Sequence, residues 1–134
     1  MFIFQLRIYW EDTDAGGIVY YANYLRFLER ARSEWLRARG VSQRVLAAQD
    51  AVVFSVVGLE VQYRRPARLD DLIAVSCEPT QCGGASFACE QNIWRSSEAG
   101  ELLLHATVRI ACLDVQSLKP RRLPQVIVED VLKE

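Results

Sequence analysis

Apolar residues recur along this chain at two spacings, and the change from one to the other predicts its elements. Phe2 to Trp10 is a nearly unbroken apolar and aromatic run, which predicts a strand. From Tyr24 the spacing lengthens. Tyr24, Phe27, Leu28, Ala31, Trp35 and Ala38 fall three and four apart, the period of a helix with one apolar face. Arg26, Glu29, Arg30, Ser33 and Arg37 occupy its other faces, and Gly40 is placed to end it. Val41 to Ala48 predicts a short helix closed by a turn at Gln49-Asp50. After that the period is two. Val52 to Tyr63 is β-branched and aromatic, with Val57, Leu59, Val61 and Tyr63 on one face. Asp71 to Glu78 follows a polar corner at Pro66 to Asp70, and Gly83-Gly84 predicts a hairpin into Ala85 to Trp94. Ser96 to Gly100 turns the chain into Glu101 to Asp114. There Leu104, Ala106, Val108, Ile110 and Cys112 face one way, and Leu103, His105, Thr107, Arg109 and Leu113 the other. Pro124 to Glu134 carries Ile127, Val128, Val131 and Leu132, a short amphipathic helix placed to cover an edge.

The order is strand, helix, then an antiparallel meander, which is an α+β arrangement. One helix cannot cover a whole curved sheet, so pairing with a second copy is expected, as a homodimer or homotetramer. With 134 residues and 51% hydrophobic content, residues 1–134 are expected to form one domain with a substantial core.

Charge and composition narrow the function. A net charge of −1 gives no general attraction to nucleic acid or to an anionic membrane. No apolar run approaches the length that spans a bilayer, so no membrane insertion is expected. Met1 to Leu6 is too short for a signal peptide and lacks a basic leader. Cys77, Cys82, Cys89 and Cys112 have no metal-ligand spacing and read as residues of a reducing compartment, so a cytoplasmic location with no metal and no cofactor is expected.

The chemistry concentrates between the first strand and the helix, at Asp12-Thr13-Asp14-Ala15-Gly16-Gly17. Unpaired N–H groups at a helix N-terminus attract developing negative charge, and glycines let the backbone approach a ligand closely. A carboxylate beside such donors suits acyl transfer: the donors hold an oxyanion while the acid attacks or activates water. A plain alternative is a turn that Asp12 and Asp14 merely cap. An aspartyl phosphatase is a weak reading, because Gly16 stands where Thr or Val is wanted. A calcium loop is weak too, because Asn23 stands where a bidentate Glu is needed. The single histidine, His105, lies late in a strand and reads as structural rather than as a hydratase base.

The run from Asp12 through Gly17 to Ile18-Val19-Tyr20-Tyr21-Ala22-Asn23-Tyr24 resembles the signature of the 4-hydroxybenzoyl-CoA thioesterase family. Phe27-Leu28-Glu29-Arg30-Ala31-Arg32 with Glu34-Trp35-Leu36 is similar to its branch of acyl-CoA thioesterases associated with the Tol–Pal envelope system. Tyr63-Arg64-Arg65-Pro66-Ala67-Arg68-Leu69-Asp70-Asp71 and Lys119-Pro120-Arg121-Arg122-Leu123-Pro124 extend the likeness over nearly the whole chain. The resemblance implies the hotdog fold, an antiparallel sheet wrapped around one long helix, and hydrolysis of acyl-CoA thioesters to free acid and CoA. It implies that Asp14 is the nucleophile or general base and that the Tyr21 backbone N–H polarises the thioester carbonyl, with Asp12 a loop cap. Gly17, Val19, Asn23 and Tyr24 would shape the acyl pocket, and Ser86 and Phe87 would meet the pantetheine. Relatives carry basic residues just before that strand. Here Cys82-Gly83-Gly84-Ala85 stand there, which leaves Arg64, Arg65, Arg121 or Arg122 for the coenzyme phosphates. The alternative function is a non-catalytic module that binds acyl-CoA or an acyl carrier protein.

Overall fold

The structure, a computed structural model, describes residues 1–131. Its one long helix, α1 (Asn23–Ala38), buries Tyr24, Phe27, Leu28, Ala31, Trp35 and Leu36. The expected stripe is therefore present with one exchange: Ala38 is exposed and Leu36 takes the inner position. Ala38 sits in the last turn, where the helix is already leaving the sheet. Gly40 ends α1 at φ +80°, with the Val41 N–H bonded to the Leu36 carbonyl and the Gly40 N–H to that of Arg37. That pair of bonds is a Schellman closure, which a left-handed glycine makes without steric cost.

Around α1 the chain forms strands β1 (Phe2–Arg7), β2 (Val52–Tyr63), β3 (Leu72–Cys82), β4 (Ser86–Arg95) and β5 (Leu102–Asp114). They make one antiparallel sheet in the order β1-β3-β4-β5-β2. This is the α+β hotdog arrangement: α1 lies against the inner face, where Ile73, Val75, Cys77, Phe87, Cys89, Ile93, Ala106 and Val108 close the core. The expected faces of β5 hold, since Leu104, Ala106, Val108, Ile110 and Cys112 are all buried.

Three elements differ from expectation. β1 stops at Arg7: Ile8 keeps the inward phase of Phe4 and Leu6, but its N–H and carbonyl bond to two successive residues, Asp71 and Asp70, and the chain then enters a single 3₁₀ turn at Trp10–Asp12. Val41 to Ala48 gives only a short helical turn, Gln43–Val45. It widens through Leu46–Asp50 and is closed by Ala51 in the left-handed region at φ 55°. In β2 a bulge between Val56 and Gly58 changes which side chains face α1. Before it Val52 and Phe54 pack inward, and after it Val61 does. Leu59, Val61 and Tyr63 share one face as expected, opposite Val108, Ala106 and Leu104, but Val57 is the extra residue of the bulge and drops out of that row; Leu59 and Tyr63, on the sheet's edge strand, stay exposed. At the C-terminus Ile127 is buried and Val128 exposed in a wide turn, Ile127–Val131, while the expectation for Leu132 lies outside the described residues. Among the described residues no helix is long and apolar enough to cross a membrane.

Candidate active site

The loop between β1 and α1 is built by its two aspartates, which do different things. Asp12 Oδ2 accepts the Tyr9 N–H at 2.8 Å, and its carbonyl accepts from the Tyr20 N–H at 3.1 Å and Asn23 Nδ2 at 2.9 Å. It fastens the loop's entry to its exit. Asp14 heads a tight turn. Its carbonyl accepts the Gly17 N–H at 3.1 Å, its N–H donates to the Ile18 carbonyl at 2.9 Å, and Oδ1 accepts the Gly16 N–H at 2.8 Å. Gly17 stands at φ +78°, where a side chain would be strained. One Asp14 oxygen is thus fixed, while Oδ2 has no partner among the described residues, and the side chain is exposed.

The exit of the loop is pinned to the segment before β3. The Val19 N–H bonds to the Ala67 carbonyl, Ile18 bridges to Arg68, and the buried Tyr24 hydroxyl accepts the Ala67 N–H at 2.9 Å. That segment is anchored in turn by Arg95, which pairs with Asp71 and Glu101 and donates to the Pro66 carbonyl at 3.0 Å. The Tyr63 hydroxyl donates to the Tyr21 carbonyl at 2.9 Å. Burial pushes the phenols of Tyr24 and Tyr63 up, so both keep their protons at neutral pH. Tyr21 comes just before the start of α1, and its N–H has no acceptor among the described residues; Ala22, the helix N-cap, offers no side-chain cap.

Two clefts flank the Asp14 turn. One, of about 620 Å³, is lined by Trp10, Glu11, Thr13, Asp14, Ala15, Gly17 and Leu69. The other, of about 310 Å³, is lined by Ile18, Val19, Tyr21, Tyr24, Tyr63, Arg64, Arg65 and Pro66. The structure thus brings Val19, Tyr21, Tyr24, Arg64 and Arg65 together, and Asp14 with Gly17 beside them. The Asn23 amide is spent on Asp12.

Ser86, Phe87, Arg121 and Arg122 stand elsewhere. Tyr63 pairs with Leu104 and Ser86 with Ala111, seven steps further along β5. At about 3.4 Å per residue that separation is roughly 24 Å. Phe87 is buried and packs edge-on against Phe54. Arg121 pairs with Asp114 at 3.1 Å and donates to the Ala51 carbonyl at 3.4 Å, while Arg122 is exposed. His105 takes up the structural place expected of it, with Nδ1 2.7 Å from Asn92 Oδ1 across the β4–β5 pair.

Two contributors were not singled out in the sequence. Tyr63 holds the Tyr21 carbonyl through its hydroxyl, and Trp10, 79% exposed, stands over the Asp14 cleft. The signal for Trp10 was local: Asp12 three residues after Tyr9 can cap a turn, which ends the strand before the tryptophan.

Similarity to known proteins extends over most of the chain. The sequence model of the thioesterase-like superfamily matches residues 8–131. The chain is 43% identical over 130 residues to an acyl-CoA thioester hydrolase, YbgC, of Escherichia coli O157:H7, covering 97% of this chain and 95% of that one. It is 41% identical over 126 residues to the acyl-CoA thioesterase YbgC of Haemophilus influenzae, covering 94% and 90%. The crystal structure of a probable thioesterase from Bartonella henselae superposes with a TM-score of 0.85 at 39% identity, covering 91% of this chain and 98% of that one.

Proposed function

The chain belongs to the thioesterase-like superfamily and is an acyl-CoA thioesterase, and from that premise we propose that Asp14 is its catalytic carboxylate and the Tyr21 N–H its oxyanion donor. The observation that supports this most is the asymmetry of Asp14, with one oxygen fixed by Gly16 and the other open to a cleft.

Either of two routes uses these groups. Asp14 attacks the thioester carbonyl carbon, the tetrahedral intermediate expels the CoA thiolate, and water cleaves the mixed anhydride. Or Asp14 takes a proton from water as that water attacks, and the same collapse releases acid and thiolate. An alkyl thiol has a pKa of about 8.5, so the leaving group needs little protonation near neutral pH. The principal demand is on the oxyanion, for which one preorganised donor is worth about 3–4 kcal/mol.

One protomer leaves this site in parts, and a second copy completes it. β2 is an edge strand of twelve residues with Val57, Leu59 and Tyr63 exposed, a surface that soluble proteins seldom leave uncovered. Antiparallel pairing of β2 with its counterpart sets the Ala51 end of one copy beside the Tyr63 end of the other. Arg121, which lies against Ala51, and Arg122 then approach the Asp14 end of the neighbouring copy, where Arg64 and Arg65 already stand. Four arginines from two chains converge on the phosphates of the coenzyme.

A thiol-release screen over short, long and aromatic acyl-CoA thioesters, with an acylated acyl carrier protein as a further arm, tests the reading. Turnover of at least one class is expected. Binding of every class with turnover of none would make the chain a carrier or scaffold and overturn the assignment.

A further inference from the structure

The Asp14 loop is held from outside itself. Residues 64–71 link β2 to β3, and this segment grips the loop at both ends. At the entry, the Ile8 N–H donates to the Asp71 carbonyl at 2.8 Å, and the Ile8 carbonyl accepts the Asp70 N–H at 3.0 Å. At the exit, the Ala67 carbonyl accepts the Val19 N–H at 2.9 Å, the Ala67 N–H donates to the Tyr24 hydroxyl at 2.9 Å, and Arg68 bridges to Ile18. The Ile18 carbonyl closes the Asp14 turn, and Tyr21 follows Val19 by two residues. The aim of both groups therefore follows the position of Ala67.

The segment borrows its shape from side chains. Its Arg64 and Arg65 N–H groups both go to the Leu103 carbonyl, at 2.8 and 3.1 Å, and further on Asp70 stands in the left-handed region at φ 71°. A residue kept there persists where its surroundings over-determine it. Arg95, at the end of β4, supplies that restraint: it donates to the Pro66 carbonyl at 3.0 Å with one arm and pairs with Asp71 Oδ2 through the other. The same Asp71 oxygen accepts the Arg68 N–H at 2.8 Å, so the two ends of residues 66–71 meet on one guanidinium. Glu101, across the turn between β4 and β5, fixes that guanidinium, with Oε1 3.3 Å from Nε and 3.1 Å from Nη2. A planar fork serves Pro66, Asp71 and Glu101 in fixed directions, which the single ammonium of a lysine does not reproduce.

We propose that Arg95 is a positioning residue for thioester hydrolysis: through Pro66 and Ala67 it sets the aim of the Tyr21 N–H and the Asp14 carboxylate. The inference rests on the catalytic assignment above and extends it to a residue that acts only through others. Thiol release from the best acyl-CoA and from the matching pantetheine thioester tests it, with circular dichroism and light scattering showing each variant folded and assembled as wild type. Arg95→Met should lower kcat about 10–100-fold on both substrates, the scale of a small misplacement at a reacting centre. KM for the pantetheine thioester should stay within about twofold of wild type. Arg95→Lys should recover only part of kcat. Tyr24→Phe removes a hydroxyl from the same path, so it should lower kcat less in Arg95→Met than in wild type. A merely structural role would lower the melting temperature and leave kcat of the folded variant intact. A folded Arg95→Met with kcat within about twofold of wild type, a loss confined to KM, or losses that multiply with those of Tyr24→Phe would overturn the proposal. If Arg95→Met does not fold, Arg95→Lys carries the same tests. Asp14→Asn measured alongside separates the inference from its premise. Wild-type rates in Asp14→Asn would overturn the catalytic assignment and the inference with it, whereas wild-type rates in Arg95→Met alone would overturn only the positioning role.

Discussion

Asp12 and Asp14 carry the same charge two positions apart, and their hydrogen bonds separate their roles. Asp12 is a fastening, so Asp12→Asn should lower stability by about 1 kcal/mol, the usual worth of a cap, and change kcat little. A melting curve beside a rate assay checks both parts. Tyr63→Phe removes the hydroxyl that holds the Tyr21 carbonyl. It should cost about 1 kcal/mol of stability and lower kcat several-fold, because a loosened peptide aims its donor less well. An unchanged kcat would show that α1 positions Tyr21 without help. Asp114 offers a pH test. The Ser117 and Gln116 N–H groups, then Arg121, hold its carboxyl below the ordinary 3.8. A depressed folded value contributes stability that is present above the unfolded value and is lost as pH falls through the folded one. The melting temperature of wild type should therefore exceed that of Asp114→Asn at neutral pH, and the gap should close only as pH falls below 3.8. A gap that persists in stronger acid would contradict this.

At the scale of elements, Gly40→Ala tests the end of α1. At φ +80° a side chain costs about 1–2 kcal/mol, and thermal melting should register that loss. Replacing Gly84, whose added Cβ would meet no atom within 4 Å, should cost less. The helix, the β5 faces and the Gly83-Gly84 turn were legible because each rests on a local period or a local backbone demand. The β2 bulge was not. Val57 and Leu59 alternate correctly in the sequence, and only pairing with β5 shows that Val57 is an extra residue that drops out of the row Leu59 continues. The short β1 was missed for a similar reason: Tyr9 and Trp10 look like strand, but Ile8 has already left the ladder to bond with Asp70 and Asp71. In the proposed site, the motif's chemistry and the resemblance both pointed to Asp14, and the resemblance alone to Tyr21. The Tyr63 hydroxyl was not, because its partner lies 42 residues away.

For the whole molecule, the account requires two copies. Leu59→Lys on the exposed edge of β2 should shift light scattering from dimer towards monomer and remove activity with it. Wild type that scatters as a monomer at micromolar concentration would remove the composite site. Within the dimer, Arg122→Ala should raise KM for acyl-CoA and leave kcat nearly unchanged, the mark of uniform binding. A pantetheine thioester without the nucleotide should not register the change, and equal loss on both substrates would contradict the phosphate assignment. The most direct test is of Asp14 itself. Asp14→Asn keeps the side chain's size and its acceptor for the Gly16 N–H, and removes only the nucleophile or base. The account predicts a fall in kcat of about 10²–10⁴ on the best acyl-CoA, with binding of that substrate retained or tightened; hydrolysis by Asp14→Asn at the wild-type rate would contradict it.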